Sequence, residues 1–190
     1  RALARVSEEL LGQRDDLADE LVGEIHRRVP EYAEYDGPEL WEAVRDSCLA
    51  NLEVGLDAMR GDRRVPERVP VEARELALVT ARLDLPLGGL LRTYRIGHAI
   101  VWERIFELLE AAPVPAAARR GAIAAASEYL FEHVDRVSAM ITEEYTAERD
   151  RFLRSREQRR TQLVRDVLDG ADPDPAGATG TLDYDLRLQH

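Results

Sequence analysis

Four side chains in the stretch PLGGLLRTYRIGHAIVWERIF, residues 86–106, are of types that bind ligands: Tyr94, Arg95, His98 and Trp102. An arginine binds an anion, a histidine and a tyrosine form hydrogen bonds, and a tryptophan forms an apolar wall. At 100° per residue along a helix, the four fall within roughly one third of the circumference. The spacing therefore predicts that they share one helix face, as the residues of a pocket would.

The role of Arg95, either ligand binding or structural pairing, depends on what surrounds this helix face. Apolar residues occupy most other positions around the helix, so we expect other helices or a partner subunit to enclose it. An inward Arg95 is costly unless an acidic residue of a neighbouring helix pairs with it, or unless it lies at the mouth of a cavity. Two interpretations stay open: a ligand pocket, and a structural network in which Arg95 is paired.

The elements that would position these residues are helices. Helical periodicity dominates the chain and strand alternation is nearly absent, which predicts an all-α helical bundle. Pro30 ends the first helix because a proline disfavours helical geometry in the residue before it, and Pro38 suits the first position of the next helix. The predicted helices cover residues 2–29, 38–59, 71–83, 86–112 and 116–168.

The last predicted helix is unusually long for a globular domain, and we expect its second half to extend from the bundle. An apolar seam with largely seven-residue spacing runs along it through Val137, Ile141, Tyr145 and Phe152. A helix of this length cannot bury its distal apolar residues against its own bundle. The seam therefore predicts a homodimer through the same helix of a second copy, with that helix relaying changes to whatever follows it.

Three segments make up the predicted domain organisation. Residues 1–150 form the helical bundle, and residues 151–170 form a connecting helix. Residues 171–190 begin with the Pro/Gly-rich linker ADPDPAGATG, after which TLDYDL could start a strand of a further domain.

Charge and cysteine content exclude several classes of protein. The net charge is −11, so general attraction to nucleic acid or to anionic lipid is not expected. The single Cys48 excludes an internal disulfide and any multi-cysteine metal site. No apolar run reaches the roughly 18 to 20 residues that span a bilayer, and no signal peptide is visible. We therefore expect a cytoplasmic protein without membrane contact.

Motifs for catalysis are also missing from the sequence. It has no Ser/His/Asp order, no Gly-rich phosphate loop, no metal motif and no convincing pair of acids. We therefore expect no enzyme, no cofactor and no metal site. Haem ligation by His98 is an alternative, because some globin-like helical sensors bind haem, but no second feature of the sequence supports a haem pocket.

The stretch LDLPLGGLLRTYRIGHAIVWE, residues 83–103, resembles the signature of the N-terminal helical domain in actinobacterial PucR-type transcriptional regulators. That domain is similar to the N-terminal domain of the RsbT co-antagonist (RsbR-like) proteins. Three flanking stretches agree: LADELVGEIHRRVPEY, RSREQRRTQLVRDVLDG and LDYDL. The residues that match the central pattern, in order, are Pro86, Leu87, Leu90, Leu91, Tyr94, Arg95, Gly97, His98, Trp102 and Glu103.

This resemblance implies a bundle related to globin-like sensor domains that lack haem, with a sensory or dimerising role for residues 1–150. It also implies that DNA is bound only by a helix-turn-helix at the C-terminus of the full regulator. The effector, if the domain has a small-molecule one, is not revealed by the motif. Two alternatives stay open: a non-catalytic scaffold domain of a stressosome-like assembly, and a haem or small-molecule sensor.

Overall fold

The structure is a computed structural model that describes residues 1–61, 63–66 and 69–168 of the chain. Seven α-helices and no strand occupy these ranges, which confirms the predicted all-α bundle with a long final helix. The helices are α1 (Ala2–Gly12), α2 (Arg14–Arg28), α3 (Pro30–Ala33), α4 (Pro38–Arg60), α5 (Val71–Arg82), α6 (Leu87–Ala111) and α7 (Ala116–Leu168).

The single helix predicted for residues 2–29 is wrong in one respect, because it consists of two helices. Gln13 leaves helical geometry, with φ −112° and ψ 14°, and its N–H donates to the Leu10 carbonyl at 3.1 Å. Gly12 directly precedes it. A glycine at this point weakens the helix enough for the chain to turn there.

The chain divides into two compact units, Arg1–Thr146 and Ala147–His190. The hydrophobic core lies in the first unit, where α4 packs against α1, α2 and α5, and α6 packs against these three and α3. The largest side chains that are almost completely buried there are Tyr32, Ile25, Leu40, Leu56, Leu76, Leu90, Ile105, Leu109 and Ile141.

The residues LDLP, 83–86, form the turn between α5 and α6. Asp84 has a positive φ of 57°, a conformation that a short polar side chain tolerates. The N–H of Asp84 donates to Ala81 O at 3.2 Å, and the N–H of Leu85 donates to Thr80 O at 3.1 Å. These are the two bonds of a Schellman motif, which closes α5, and the proline that follows it starts the next helix.

The start of α6 packs closely against the α3 turn at Gly89. A Cβ atom at Gly89 would lie only 3.4 Å from Cε1 of Tyr32 and 3.6 Å from Cγ1 of Val29. Tyr32 is fully buried, and its hydroxyl forms a 2.8 Å hydrogen bond with Thr80 Oγ1 of α5. Gly89 therefore leaves room for α6 to pack closely against the α3 turn, and Tyr32 of that turn is hydrogen-bonded to α5.

Most of the apolar seam predicted on α7 packs into the hydrophobic core of the same chain. Val137, Ile141 and Tyr145 are 1%, 0% and 5% exposed, and all three belong to the hydrophobic core of the first unit. The Tyr145 hydroxyl also donates to Leu85 O at 2.8 Å. Because the chain's own helices cover these side chains, their predicted place in a dimer interface is wrong.

The described part of the second unit is the end of α7, residues 147–168. Phe152 is partly exposed, and Leu153 and Val164 are 50% and 42% exposed. The predicted linker and strand in residues 171–190 lie outside the described residues. Among the helices that the structure describes, none combines the length and the apolar character needed to cross a membrane.

Candidate ligand cavity

Five helices of the first unit surround a partly open space of about 90 Å³, which we call the central cavity. Most of its wall is aliphatic, and the polar groups come from α4, α6 and α7. The lining residues are Leu21, Ile25, Val44, Ser47, Cys48, Asn51, Leu52, Gly55, Leu56, Met59, Leu76, Thr93, Tyr94, Gly97, His98, Val101, Tyr129, Leu130, His133 and Val134.

A chain of hydrogen bonds crosses the cavity wall and joins three helices. The hydroxyl groups of Tyr94 on α6 and Ser47 on α4 lie 2.9 Å apart. Asn51, one turn further along α4, donates to Ser47 O at 2.7 Å. Its side-chain carbonyl lies 3.1 Å from Nε2 of His133 on α7. Buried polar groups are costly unless they are paired, and these four pair with one another.

Tyr129 is the exception to this pairing. Its ring lies nearly parallel to that of His133, with an interplanar angle of 12° and centroids 6.1 Å apart. The residue is only 7% exposed, and its hydroxyl has no hydrogen-bond partner anywhere in the described part of the chain. Burial and the nearby Glu132 raise the pKa of this hydroxyl to about 12, so it stays protonated and able to donate.

No ionised side chain lines the cavity at neutral pH. Burial is the main cause that lowers the pKa of His133 to about 4, with smaller contributions from His98 and Arg136. Burial also lowers the pKa of His98. The Cys48 thiol has its pKa raised to about 12 by burial, so it is not a thiolate nucleophile. The wall is therefore electrically neutral.

Two glycines inside helices line the cavity, Gly55 of α4 and Gly97 of α6. A helix-interior glycine is destabilising by roughly 0.5–1 kcal/mol relative to alanine. A Cβ atom at Gly97 would meet no atom within 4 Å beyond its own helix backbone and chain neighbours. One at Gly55 would lie 3.8 Å from Cε1 of Tyr129, an ordinary contact. Close packing therefore requires neither glycine, and both leave space open.

Of the four predicted ligand-binding residues, the structure places two in the cavity wall. Tyr94 and His98 line it, whereas Arg95 and Trp102 do not. Trp102 is partly exposed and lies 6.0 Å from Phe106 between ring centroids. Arg95 is exposed, so its predicted inward position is wrong and its anion-binding role has no support from this geometry.

The error at Arg95 has a physical cause. Apolar residues surround α6, and the helix turns Leu90, Ile96 and Ile100 into the core instead. Thr93 is buried with them because its hydroxyl donates to Leu90 O at 2.7 Å. The residues that sequence analysis missed are Ser47, Asn51, Tyr129 and His133, which come from two helices distant in sequence and share no diagnostic spacing.

The volume of the cavity limits the size of a ligand that can bind entirely within it. An apolar cavity of roughly 150 Å³ holds one benzene molecule. At about 90 Å³, the central cavity is smaller than that, and a haem macrocycle would require the surrounding helices to move apart. Within the described ranges, no three His, Cys, Asp or Glu side chains are grouped so that they could hold a metal ion.

Removing the unpaired hydroxyl should stabilise the protein. We expect Tyr129→Phe to raise the free energy of unfolding by about 1 kcal/mol, because a buried hydroxyl without a partner is destabilising. Tyr94→Phe is the matched control, and it should lower the free energy of unfolding by about 1 kcal/mol because it removes the bond to Ser47. Urea unfolding measures both. Equal destabilisation by the two substitutions would contradict an unpaired Tyr129 hydroxyl.

Acid should destabilise the fold through His133. Its pKa is about 4 in the folded chain against an ordinary 6.5, so between these values only the unfolded chain binds the proton. The stabilisation is therefore complete above about pH 6.5 and is lost toward pH 4, by about 1.4 kcal/mol per pH unit. Urea unfolding at about pH 6.5 and 5 should show a smaller loss in His133→Gln. An equal loss in the wild type and the variant would contradict a buried neutral His133.

Comparison with known protein families adds an independent finding. The family model described as RsbT co-antagonist protein rsbRD N-terminal domain matches residues 15–160, a range that includes every residue lining the central cavity. No curated protein and no solved structure matches the chain. Domains of this family are of the stressosome or sensor type. Since the match covers most of the sequence, the chain belongs to the family of RsbT co-antagonist protein rsbRD N-terminal domains.

Proposed function

We propose that the chain is the N-terminal sensory module of an actinobacterial PucR-type transcriptional regulator located in the cytoplasm, and that it has no catalytic activity. A small molecule binds in the central cavity, and α7 carries the resulting change to downstream domains. The DNA-binding part belongs to those domains. Membership in a family of sensor-type domains supports the sensory role, and the LDLPLGGLLRTYRIGHAIVWE stretch supports the PucR type.

One observation carries this proposal, which is the combination of space and an unpaired polar group inside the bundle. A stable scaffold would gain by filling the cavity and by replacing the Tyr129 hydroxyl, because both changes favour the folded state. The chain instead has glycines at positions 55 and 97, where a methyl group would fit. These features are those of a site that a ligand completes.

The same helix that lines the cavity supports the relay. Tyr129, Leu130, His133 and Val134 all belong to α7, and α7 is continuous to Leu168. A ligand that forms a hydrogen bond with Tyr129 would favour one position of this helix over others. Such a differential contact is what a ligand needs to shift an equilibrium between two states.

A ligand screen with matched glycine variants tests the sensory function. The wild-type chain is screened by thermal shift against uncharged compounds, small acids and nucleotides. We expect at least one compound to raise the melting temperature, since a ligand that binds only the folded state stabilises it by RT ln(1 + [L]/Kd). Gly97→Ala should reduce this shift because its methyl group takes up cavity space.

Gly121→Ala is the control, because Gly121 is an exposed residue of α7 with the same open surroundings. The Gly121→Ala variant gains the same helix propensity as Gly97→Ala, and the ligand should raise its melting temperature as much as that of the wild type. Arg95→Ala should also keep the full rise in melting temperature. A screen in which no compound stabilises the wild type, or in which Gly97→Ala and the wild type respond equally, would contradict a sensory cavity. An absorption band of bound haem in the purified chain would favour a haem sensor instead.

Assembly is a second candidate function that a separate observation favours. Leu153 and Val164 are exposed apolar residues in the second unit, and their spacing of eleven residues puts them on one side of the helix. We propose that the same segment of a second copy covers them, which gives a homodimer.

Light scattering of charged variants tests the dimer. The double variant Leu153→Glu and Val164→Glu should reduce the mass from that of a dimer to that of a monomer, because a dimer would bury the new carboxylates without partners. Ser155→Glu with Thr161→Glu adds the same charge at exposed polar positions and should leave the dimer intact. A wild-type chain that is monomeric at tens of micromolar would contradict the dimer.

A further inference from the structure

We propose that the central cavity binds a small uncharged molecule, of up to about six non-hydrogen atoms, whose carbonyl or amide oxygen accepts a hydrogen bond from Tyr129. This inference rests on the proposed sensory function and specifies the ligand class for that site. It replaces the anion of the pocket interpretation, in which Arg95 would bind the ligand. Four features of the cavity lead to it: its size, its neutrality, its single free donor and its apolar remainder.

Size sets the upper limit on the ligand. The cavity measures about 90 Å³, compared with roughly 150 Å³ for one that accepts the six carbon atoms of benzene. Nucleotides, purines and haem are all larger than benzene. A compound of a few non-hydrogen atoms fits entirely within this space, and a larger one would have to extend through its open side.

Neutrality of the wall excludes ionised ligands. A buried charge without an opposite charge or several hydrogen bonds is strongly unfavourable. Two guanidinium groups act on the Tyr129 hydroxyl, and both are already engaged. Arg63 pairs with Asp57, and Arg136 donates to the carbonyls of Val65 and Pro66 at 3.0 and 2.8 Å and to Glu132 at 2.6 Å. A carboxylate or an ammonium group in the cavity would therefore have no free counter-charge.

Tyr129 supplies the free donor. Most other polar groups of the wall already have partners: Tyr94 bonds with Ser47, Asn51 with His133, and Thr93 with Leu90 O. The Tyr129 hydroxyl is buried and protonated, and it has no partner among the described residues. Because folding has already removed it from bulk water, a ligand oxygen gains the hydrogen bond without further desolvation of this group.

The rest of the ligand must be apolar. Side chains of Leu52, Leu56 and Met59 on α4, and of Leu130 and Val134 on α7, form the surrounding surface. These groups offer dispersion contacts and no hydrogen bonds. A short alkyl group with one carbonyl matches the wall on both counts, and the N–H groups of an amide can donate to carbonyl oxygens of the wall with a second lone pair, such as Asn51 Oδ1.

The test uses two compounds of equal size, propanamide and propanoate, each with five non-hydrogen atoms. The complete chain, labelled with ¹⁵N, is titrated with each compound at pH 7 and followed by NMR. We expect propanamide to shift the backbone signals of residues around the cavity in a saturable way, and propanoate to leave them unchanged. A ligand of five atoms binds no tighter than the micromolar range, so the titration extends to tens of millimolar.

Tyr129→Phe identifies the hydrogen bond. This variant keeps the ring and is expected to fold more stably than the wild type, and it should weaken propanamide binding roughly tenfold. Tyr94→Phe, whose hydroxyl already bonds to Ser47, should change the affinity less than Tyr129→Phe does. Equal affinity of Tyr129→Phe and the wild type for propanamide would overturn the proposal.

Two further outcomes also overturn it, and they differ in what they say about the sensory function. If propanoate shifts the cavity signals and propanamide does not, the site takes anions, and the uncharged class is wrong while a sensory cavity stands. If neither compound shifts them, this ligand class is wrong. The sensory function then depends on the thermal-shift screen, in which larger and charged compounds are also tested.

Discussion

A buried hydroxyl without a partner is the constraint on which the interpretation of this domain depends. Proteins pair nearly all of their buried polar groups, and this one pairs Tyr94 with Ser47 and Asn51 with His133. Tyr129 lies beside these pairs and remains unpaired. Ser7 Oγ and Arg119 Nε are also buried without a partner among the described residues, but neither residue belongs to the cavity wall. A domain selected only for stability would gain from phenylalanine there, so the proposed ligand depends on this hydroxyl.

The same balance between stability and function extends to the surrounding wall. Helix-interior glycines at positions 55 and 97 keep space open where alanine would strengthen the helices. Burial keeps the two histidines neutral, and the ionised side chains of the first unit lie outside the cavity wall. Stability that is given up at binding sites is common in proteins, because a preformed site must keep groups ready for the ligand. In the proposed sensory function, a signal would enter at this cavity.

The amino-acid sequence predicts the helices well and the site only in part. The starts of α4, α6 and α7 follow from prolines, so they agree with the structure to within one residue. The buried side of α6 could not be predicted, because apolar residues lie all around that helix and neighbouring helices decide which side is enclosed. Tyr129 and His133 could not be assigned to a site either, since the cavity exists only where five helices meet.

Xenon binding tests the central claim most directly, because xenon enters apolar cavities and needs no knowledge of the natural ligand. A crystal of the wild-type chain under xenon pressure should show a xenon atom between Gly55, Gly97 and Tyr129, and a crystal of Gly97→Ala should show it weakly or not at all. A wild-type crystal with xenon bound elsewhere and a filled interior at these three residues would contradict a ligand cavity in this bundle.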